Sequence, residues 1–222
     1  MCGRFTLTMD IEDLQDAFPG VDFGMYLKPN YNIAPSQNIL AIPDFDKAKA
    51  SLFHWGLIPS WSKDKDISYK MINARSETLA EKPSFKKPFK NQRCLILSDG
   101  FYEWKRDKEK KIPTHIRLKS GKPFAFAGLW EKWIQGGQLP VFSCTIITTS
   151  ANSLLQPVHP RMPVILKRED YNLWLDSDEK SPEILQKLLV PFEPDEMEYH
   201  PVSSFVNNPN NNSPECIKAI SA

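Results

Sequence analysis

Nothing in this chain of 222 residues marks it for a membrane or for export. No stretch is apolar for long enough to span a bilayer, and the N-terminus has no apolar run of the signal-peptide kind. An intracellular protein with no membrane contact is the expectation. Cysteine is scarce: Cys2, Cys94, Cys144 and Cys216 are widely spaced and form no Cys-x-x-Cys pair, which removes the usual signature of a zinc site or a redox dithiol. Reduced thiols are the default, and no metal or cofactor is expected. Neither sign of charge is in excess, with 28 Lys and Arg against 27 Asp and Glu. A formal net charge of +1 excludes no class of partner, because a narrow basic groove can be offset by acidic residues elsewhere. Repeats and internal linkers are missing too, so one sizeable core and a single domain over residues 1–222 are expected.

What the sequence does have is a reactive start, Met1-Cys2-Gly3-Arg4. If Met1 is removed, as the small side chain of Cys2 permits, Cys2 carries a free α-amine beside its thiol. Unperturbed pKa values of roughly 7.7–8.0 for such an amine and about 8.5 for a cysteine leave both nucleophiles partly deprotonated near neutral pH. An aldehyde meeting this 1,2-aminothiol forms an imine at nitrogen, and sulfur then closes a five-membered thiazolidine with an effective molarity of ~10⁵ M or more. On position alone, Cys2 is equally an ordinary residue of a frayed terminus.

Along the chain, Phe5–Leu7 reads as a short strand and residues 9–18 as a helix capped by Asp10 and stopped by Pro19-Gly20. Residues 26–37, with two prolines and several asparagines, read as an ordered loop. Strands are expected over 39–42, from 52 into an aromatic loop ending at Trp61, and over 93–98, 100–105, 113–118, 124–130 and 141–148. The charged run 105–111 reads as a solvated hairpin tip. Helices are expected over 76–81, with a capping-box start that sets Asn73 and Arg75 before an anion-favouring N-terminus, and over 168–175 and 182–189. Residues 207–214 form a turn-rich and mobile tail. Many short strands that do not alternate with helices indicate an α+β fold with a mostly antiparallel, barrel-like sheet flanked by short helices.

Three polar segments each hold one reactive side chain. Asn73 lies in Met71-Ile72-Asn73-Ala74-Arg75. Glu103 lies in Phe101-Tyr102-Glu103-Trp104, where aromatics can desolvate it and raise its pKa toward that of a useful general acid. His159 lies in His159-Pro160-Arg161-Met162-Pro163, where prolines fix the backbone. Each also has an ordinary reading: a helix cap, the solvent face of a strand and a surface-loop histidine.

Together with Met1-Cys2-Gly3-Arg4-Phe5, the segments Tyr31-Asn32-Ile33-Ala34-Pro35-Ser36-Gln37, Trp55-Gly56-Leu57-Ile58-Pro59-Ser60-Trp61, Asn73-Ala74-Arg75-Ser76-Glu77-Thr78, Gly100-Phe101-Tyr102-Glu103-Trp104 and His159-Pro160-Arg161-Met162-Pro163 resemble the successive signatures of the SRAP family, abasic-site processing proteins that crosslink themselves to damaged single-stranded DNA. The resemblance runs from residue 2 to about 164, and residues 207–217 resemble the family's C-terminal end. It implies the SRAP fold, a monomer and single-stranded DNA carrying abasic sites as the partner. Cys2 would supply both nucleophiles, Glu103 would protonate the sugar ring oxygen, His159 would assist at the sugar hydroxyl, and Asn73 would hold the Cys2 backbone and the sugar. The family's other implied activity is autoproteolytic release of Met1. Arg4, Arg75 and Arg161 would gather around one cleft to meet phosphates. Trp61 and the Asn32 to Pro35 loop would offer surfaces to neighbouring bases, with Trp61 preferred to Trp55. Two other readings use the same residues: a cysteine peptidase or amidohydrolase with Cys2 as acyl nucleophile, and a noncatalytic single-strand binding module.

Overall fold

Strands dominate because apolar and β-branched residues recur in short runs bounded by turn formers. The computed structural model describes residues 2–24, 28–135 and 139–220. Its strands are β1 (Phe5–Leu7), β2 (Asn30–Ile33), β3 (Asn38–Pro43), β4 (Ser51–Trp55), β5 (Asn73–Arg75), β6 (Arg93–Ser98), β7 (Gly100–Asp107), β8 (Lys110–Leu118), β9 (Phe124–Trp133), β10 (Val141–Ser150), β11 (Arg161–Pro163) and β12 (Met197–Pro201). Four short helices accompany them: α1 (Ile11–Ala17), α2 (Pro83–Asn91), α3 (Tyr171–Trp174) and α4 (Pro182–Lys187).

In the larger sheet β10, β4, β3, β6 and β9 follow one another, and β9 pairs back onto β10, closing a five-stranded barrel. The second sheet runs β12-β8-β7-β1-β2. All pairings are antiparallel except β10 with β4 and with β5. The expected α+β fold with a mostly antiparallel barrel is therefore what the chain adopts. Between the sheets, the Phe5 ring meets Trp55 edge-on at 5.1 Å and Phe126 at 5.8 Å, so β1 is anchored by its first residue.

The expectations for several segments are corrected. Residues 30–33 are strand β2 rather than loop: this edge pairs with β1, and its Tyr31 N–H donates to Asn212 Oδ1 at 2.8 Å. Residues 26–27 of that expected loop lie outside the described residues, as does Met1. The expected helix over 76–81 is a single 3-10 turn, Ser76–Thr78, because Asn73–Arg75 is drawn into parallel pairing with β10 and Arg75 gives no side-chain cap. Helix α2 stands where no element was expected. It starts with a proline, whose missing N–H costs nothing there, and tolerates Pro88 while burying Phe85, Pro88 and Phe89. The charged run is the exposed end of a hairpin, as expected, with β7 and β8 paired as far as Asp107 and Lys110. The asparagine-rich tail is tied down: Asn32 Nδ2 donates to the carbonyls of Asn208 and Asn211, and Trp104 Nε1 donates to Asn207 Oδ1.

One buried cation pins α2 and α3 to the barrel. Arg93 is fully buried, and its guanidinium donates to the carbonyls of Trp174, Phe89, Lys90, Asp176 and Glu179. Arg93→Met leaves those carbonyls without their donor in a dry site, so urea denaturation should show a loss of about 3–5 kcal/mol. A loss below ~1 kcal/mol would show that water replaces the guanidinium at little cost.

Candidate active site

The position of the N-terminus is set by register. β1 runs antiparallel to β7 with Phe5 opposite Phe101 and Thr6 opposite Gly100, and the Tyr102 N–H donates to the Arg4 carbonyl at 2.9 Å. Continuing that register past Arg4 sets Gly3 opposite Glu103, with Cys2 the next residue. A second piece of register brings the other two side chains in. β5 pairs with residues 146–148 of β10, and β11 pairs with residues 148–150. Asn73, at the start of β5, and His159, two residues before β11, are thereby delivered to one end of the barrel from segments 86 residues apart in sequence.

There Asn73 Nδ2 donates to the Cys2 carbonyl at 2.8 Å. This bond fixes the peptide that bears the reactive residue. Cys2 is fully buried and its Sγ lies 3.8 Å from the Arg4 carbonyl. Burial, and next the charge of Glu103, pushes the thiol far above its ordinary pKa. The thiol is therefore held as S–H. Glu103 is 6% exposed, and burial raises its carboxyl above the usual range despite the attraction of His159. Cys2, Glu103 and His159 are thus in electrostatic reach of one another in sequence: Glu103 acts on the thiol, and His159 acts on Glu103. His159 Nδ1 lies 3.0 Å from both the amide nitrogen and the carbonyl oxygen of Arg161, so the ring is held against the residue that follows Pro160.

The three arginines differ in what they can offer a phosphate. Arg161 is half-buried and already forked onto Glu77, with Nη1 to Oε1 at 2.6 Å and Nη2 to Oε2 at 3.0 Å, while Nη2 also donates to the Thr148 carbonyl at 2.6 Å. Arg4 donates to Asn32 Oδ1 at 2.6 Å and to the Val206 carbonyl at 2.9 Å, and lies over the Trp104 ring. Arg75 is exposed at the end of β5. So the three do not present equivalent guanidiniums: two are built into the rim by partners within the protein, and Arg75 faces solvent.

The aromatic candidates separate cleanly. Trp55 is fully buried with Nε1 donating to the Ile72 carbonyl, and Trp61 is 60% exposed. Pro35 is half-buried. Asn32 offers no surface to a base: it is 1% exposed, and its amide donates to the carbonyls of Val206, Asn208 and Asn211. Sequence reasoning missed Glu77 and Thr148, which hold Arg161. Glu77 sits inside the Asn73 to Thr78 motif, but an acidic residue there reads as the first turn of a helix. Among the described residues no group of three or more His, Cys, Asp or Glu side chains is placed to hold a metal, and no helix is long and apolar enough to cross a membrane.

The family described as SOS response associated peptidase (SRAP) matches residues 1–209. A Bacillus subtilis relative, abasic site processing protein YoqW, is 52% identical over 99% of this chain and 100% of its own. The Xenopus tropicalis abasic site processing protein HMCES is 35% identical over 99% of this chain and 78% of its own. Among solved structures, a protein from Bacteroides thetaiotaomicron superposes with a TM-score of 0.90 at 26% identity, covering 99% of this chain and 100% of that one.

Proposed function

Since the chain belongs to the SRAP family, we propose that it captures abasic sites in single-stranded DNA as a covalent adduct on Cys2. The observation that carries this reading is the 2.8 Å hydrogen bond by which Asn73 fixes the Cys2 carbonyl beside a buried Glu103 of raised pKa.

The chemistry follows from those positions. An abasic deoxyribose equilibrates between a closed ring and an open aldehyde. Glu103, whose pKa burial raises, donates a proton to the ring oxygen as the ring opens. With Met1 gone, the Cys2 α-amine adds to C1′, and loss of one water gives the imine. The Cys2 thiol then adds across C=N: the S–C1′ bond forms, the thiol proton goes to nitrogen, and a thiazolidine results. His159 serves the sugar hydroxyl and the proton transfers of imine formation. The same pair of side chains can run the sequence backwards, and release of Met1 is the step that first exposes the amine. A site with no base needs no base flipped out, so no sequence preference is expected.

The setting of Cys2, buried and beside a carboxyl group, argues against an acyl-transferring cysteine hydrolase. Such an enzyme needs a thiolate lowered by a positive neighbourhood, whereas Cys2 faces the carboxyl of Glu103. A trapped thiol that adds after the imine has formed has no such requirement. The test is to mix purified monomer with a single-stranded oligonucleotide holding one abasic site and run a denaturing gel. A shifted band that needs no borohydride is expected, and an unmodified oligonucleotide sinks the proposal.

Arg75 is the exposed cation beside the site and is assigned to a phosphate flanking the lesion. Arg75→Ala should weaken capture and reduce the slope of log K against log salt by roughly 0.7, the contribution of one phosphate on a single strand. An unchanged slope removes Arg75 from the phosphate contacts. Arg4 and Arg161 act chiefly by bracing the rim, and a phosphate reaching Arg161 must compete with Glu77.

A further inference from the structure

The loop that carries Trp61 is gripped from one side. Glu131 on β9 and Ser143 on β10 stand directly opposite each other in the ladder, and both are buried, at 3% and 0% exposure. Ser143 Oγ accepts the Ile58 N–H at 2.9 Å, and Glu131 Oε2 accepts the Ser60 N–H at 2.7 Å. A cross-strand pair therefore holds alternate amides of the loop. Two residues along the same face of β9, Trp133 Nε1 donates to the Ser62 carbonyl at 2.8 Å. Gln135, the next in that alternation, donates to the Lys63 carbonyl at 2.8 Å. Trp61 is thus bracketed. The residue before it is fixed through its N–H and the residue after it through its carbonyl, while its own ring is left 60% exposed.

Holding a large apolar ring in water runs against the gain from burying it, so a loose loop would fold the ring onto nearby surface. Side chains of β9 prevent that. The groove beside the ring is lined by Trp61, Lys63, Asp64, Asp66, Ile67 and Lys70, with Asp64 accepting the Asp66 N–H. An aromatic face next to ammonium groups suits a nucleotide, the base stacked and the phosphate paired.

We infer that Glu131 is a positioning residue for DNA capture: through the Ser60 amide it presents Trp61 as a preformed stacking platform for a base next to the lesion. This rests on the reading of the protein as a trap for abasic single strands. The gain is pre-organisation, since the loop is ordered before DNA arrives rather than at its expense.

The experiment is crosslinking of an abasic single-stranded oligonucleotide over a range of concentrations, yielding a half-saturating concentration and a saturating rate. Glu131→Leu, which removes the acceptor, should raise the former about tenfold, within what one stacked base contributes, and leave the latter within about twofold. Trp61→Ala should shift the half-saturating concentration by a similar factor, and the double variant no further than Trp61→Ala alone. Glu131→Gln keeps an acceptor oxygen and should recover most of the affinity. If Glu131→Leu does not fold, Ser143→Ala, which frees the Ile58 amide, takes its place with the same pattern expected. Without DNA, hydrogen exchange over residues 58–63 should accelerate in these variants. Unchanged exchange, additive losses with Trp61→Ala, or a saturating rate that falls as far as affinity overturns the inference. Absence of any adduct with the wild-type chain sinks the earlier reading instead and leaves the exchange result to decide the role of Glu131 in the loop.

Discussion

Cys2→Ala leaves no adduct on an abasic oligonucleotide that survives denaturation. The variant keeps an α-amine at its new first residue, so the imine still forms. It loses the sulfur, whose intramolecular attack has an effective molarity of about 10⁵ M or more and converts a hydrolysable link into a stable ring. Borohydride should therefore recover a band from Cys2→Ala, by reducing the imine, where the wild-type chain needs none. Inserting one residue before Cys2 keeps the thiol but moves the amine off it, and the stable band should vanish again. Cys94, Cys144 and Cys216 are all buried and remain in both variants, so loss of the adduct cannot be ascribed to losing them. Wild-type yield from Cys2→Ala without reductant would place the attachment elsewhere.

The second large effect belongs to Glu103. Glu103→Gln has nearly the same shape but no proton to give, so adduct formation should slow by about 10²- to 10⁴-fold while the affinity for abasic single strands stays within about twofold. Equal losses in rate and affinity would make the residue structural. Because burial raises the carboxyl above the ordinary glutamate range, the acid form persists to a higher pH than a solvated glutamate would allow. The wild-type rate should fall as pH rises through that raised value, and the variant should lack that limb. The same shift acts on stability with a definite sign. A carboxyl raised in the fold favours folding below its unfolded pKa, and this contribution is lost as pH rises through the folded value. At neutral pH Glu103→Gln should accordingly unfold at a higher temperature than the wild type, with the difference closing in acid. A variant that is both slow and less stable at neutral pH contradicts this account.

Much of the barrel was legible because its strands obey local rules. Runs such as Arg93–Ser98 and Phe124–Trp133 are apolar and β-rich, and Asp10 caps α1 by accepting the Asp13 N–H as its sequence foretells. What was not legible is set by partners far away in the chain. β2 reads as loop until β1 and the C-terminal tail cover its edges. Residues 76–81 read as a helix until parallel pairing with β10 takes up the preceding residues. α2 is masked by Pro83 and Pro88, since a proline inside a helix ordinarily breaks it. The reactive side chains show in the sequence as residue types in crowded loops, but their meeting does not: Asn73 reaches the Cys2 carbonyl only because β5 lies against β10. Arg161 shows the limit most plainly, for nothing near it in sequence announces that Glu77 will occupy its fork.

The tail's grip on Asn32 and Arg4 also has a consequence in time. Carbonyls of residues 206–211 secure the neighbourhood of the first strand, and the ribosome makes them long after it, Val206 coming 174 residues later than Asn32. Until those residues have been made, Arg4 and Asn32 lack these partners, so the start of the chain takes its final bracing only after synthesis has passed residue 211.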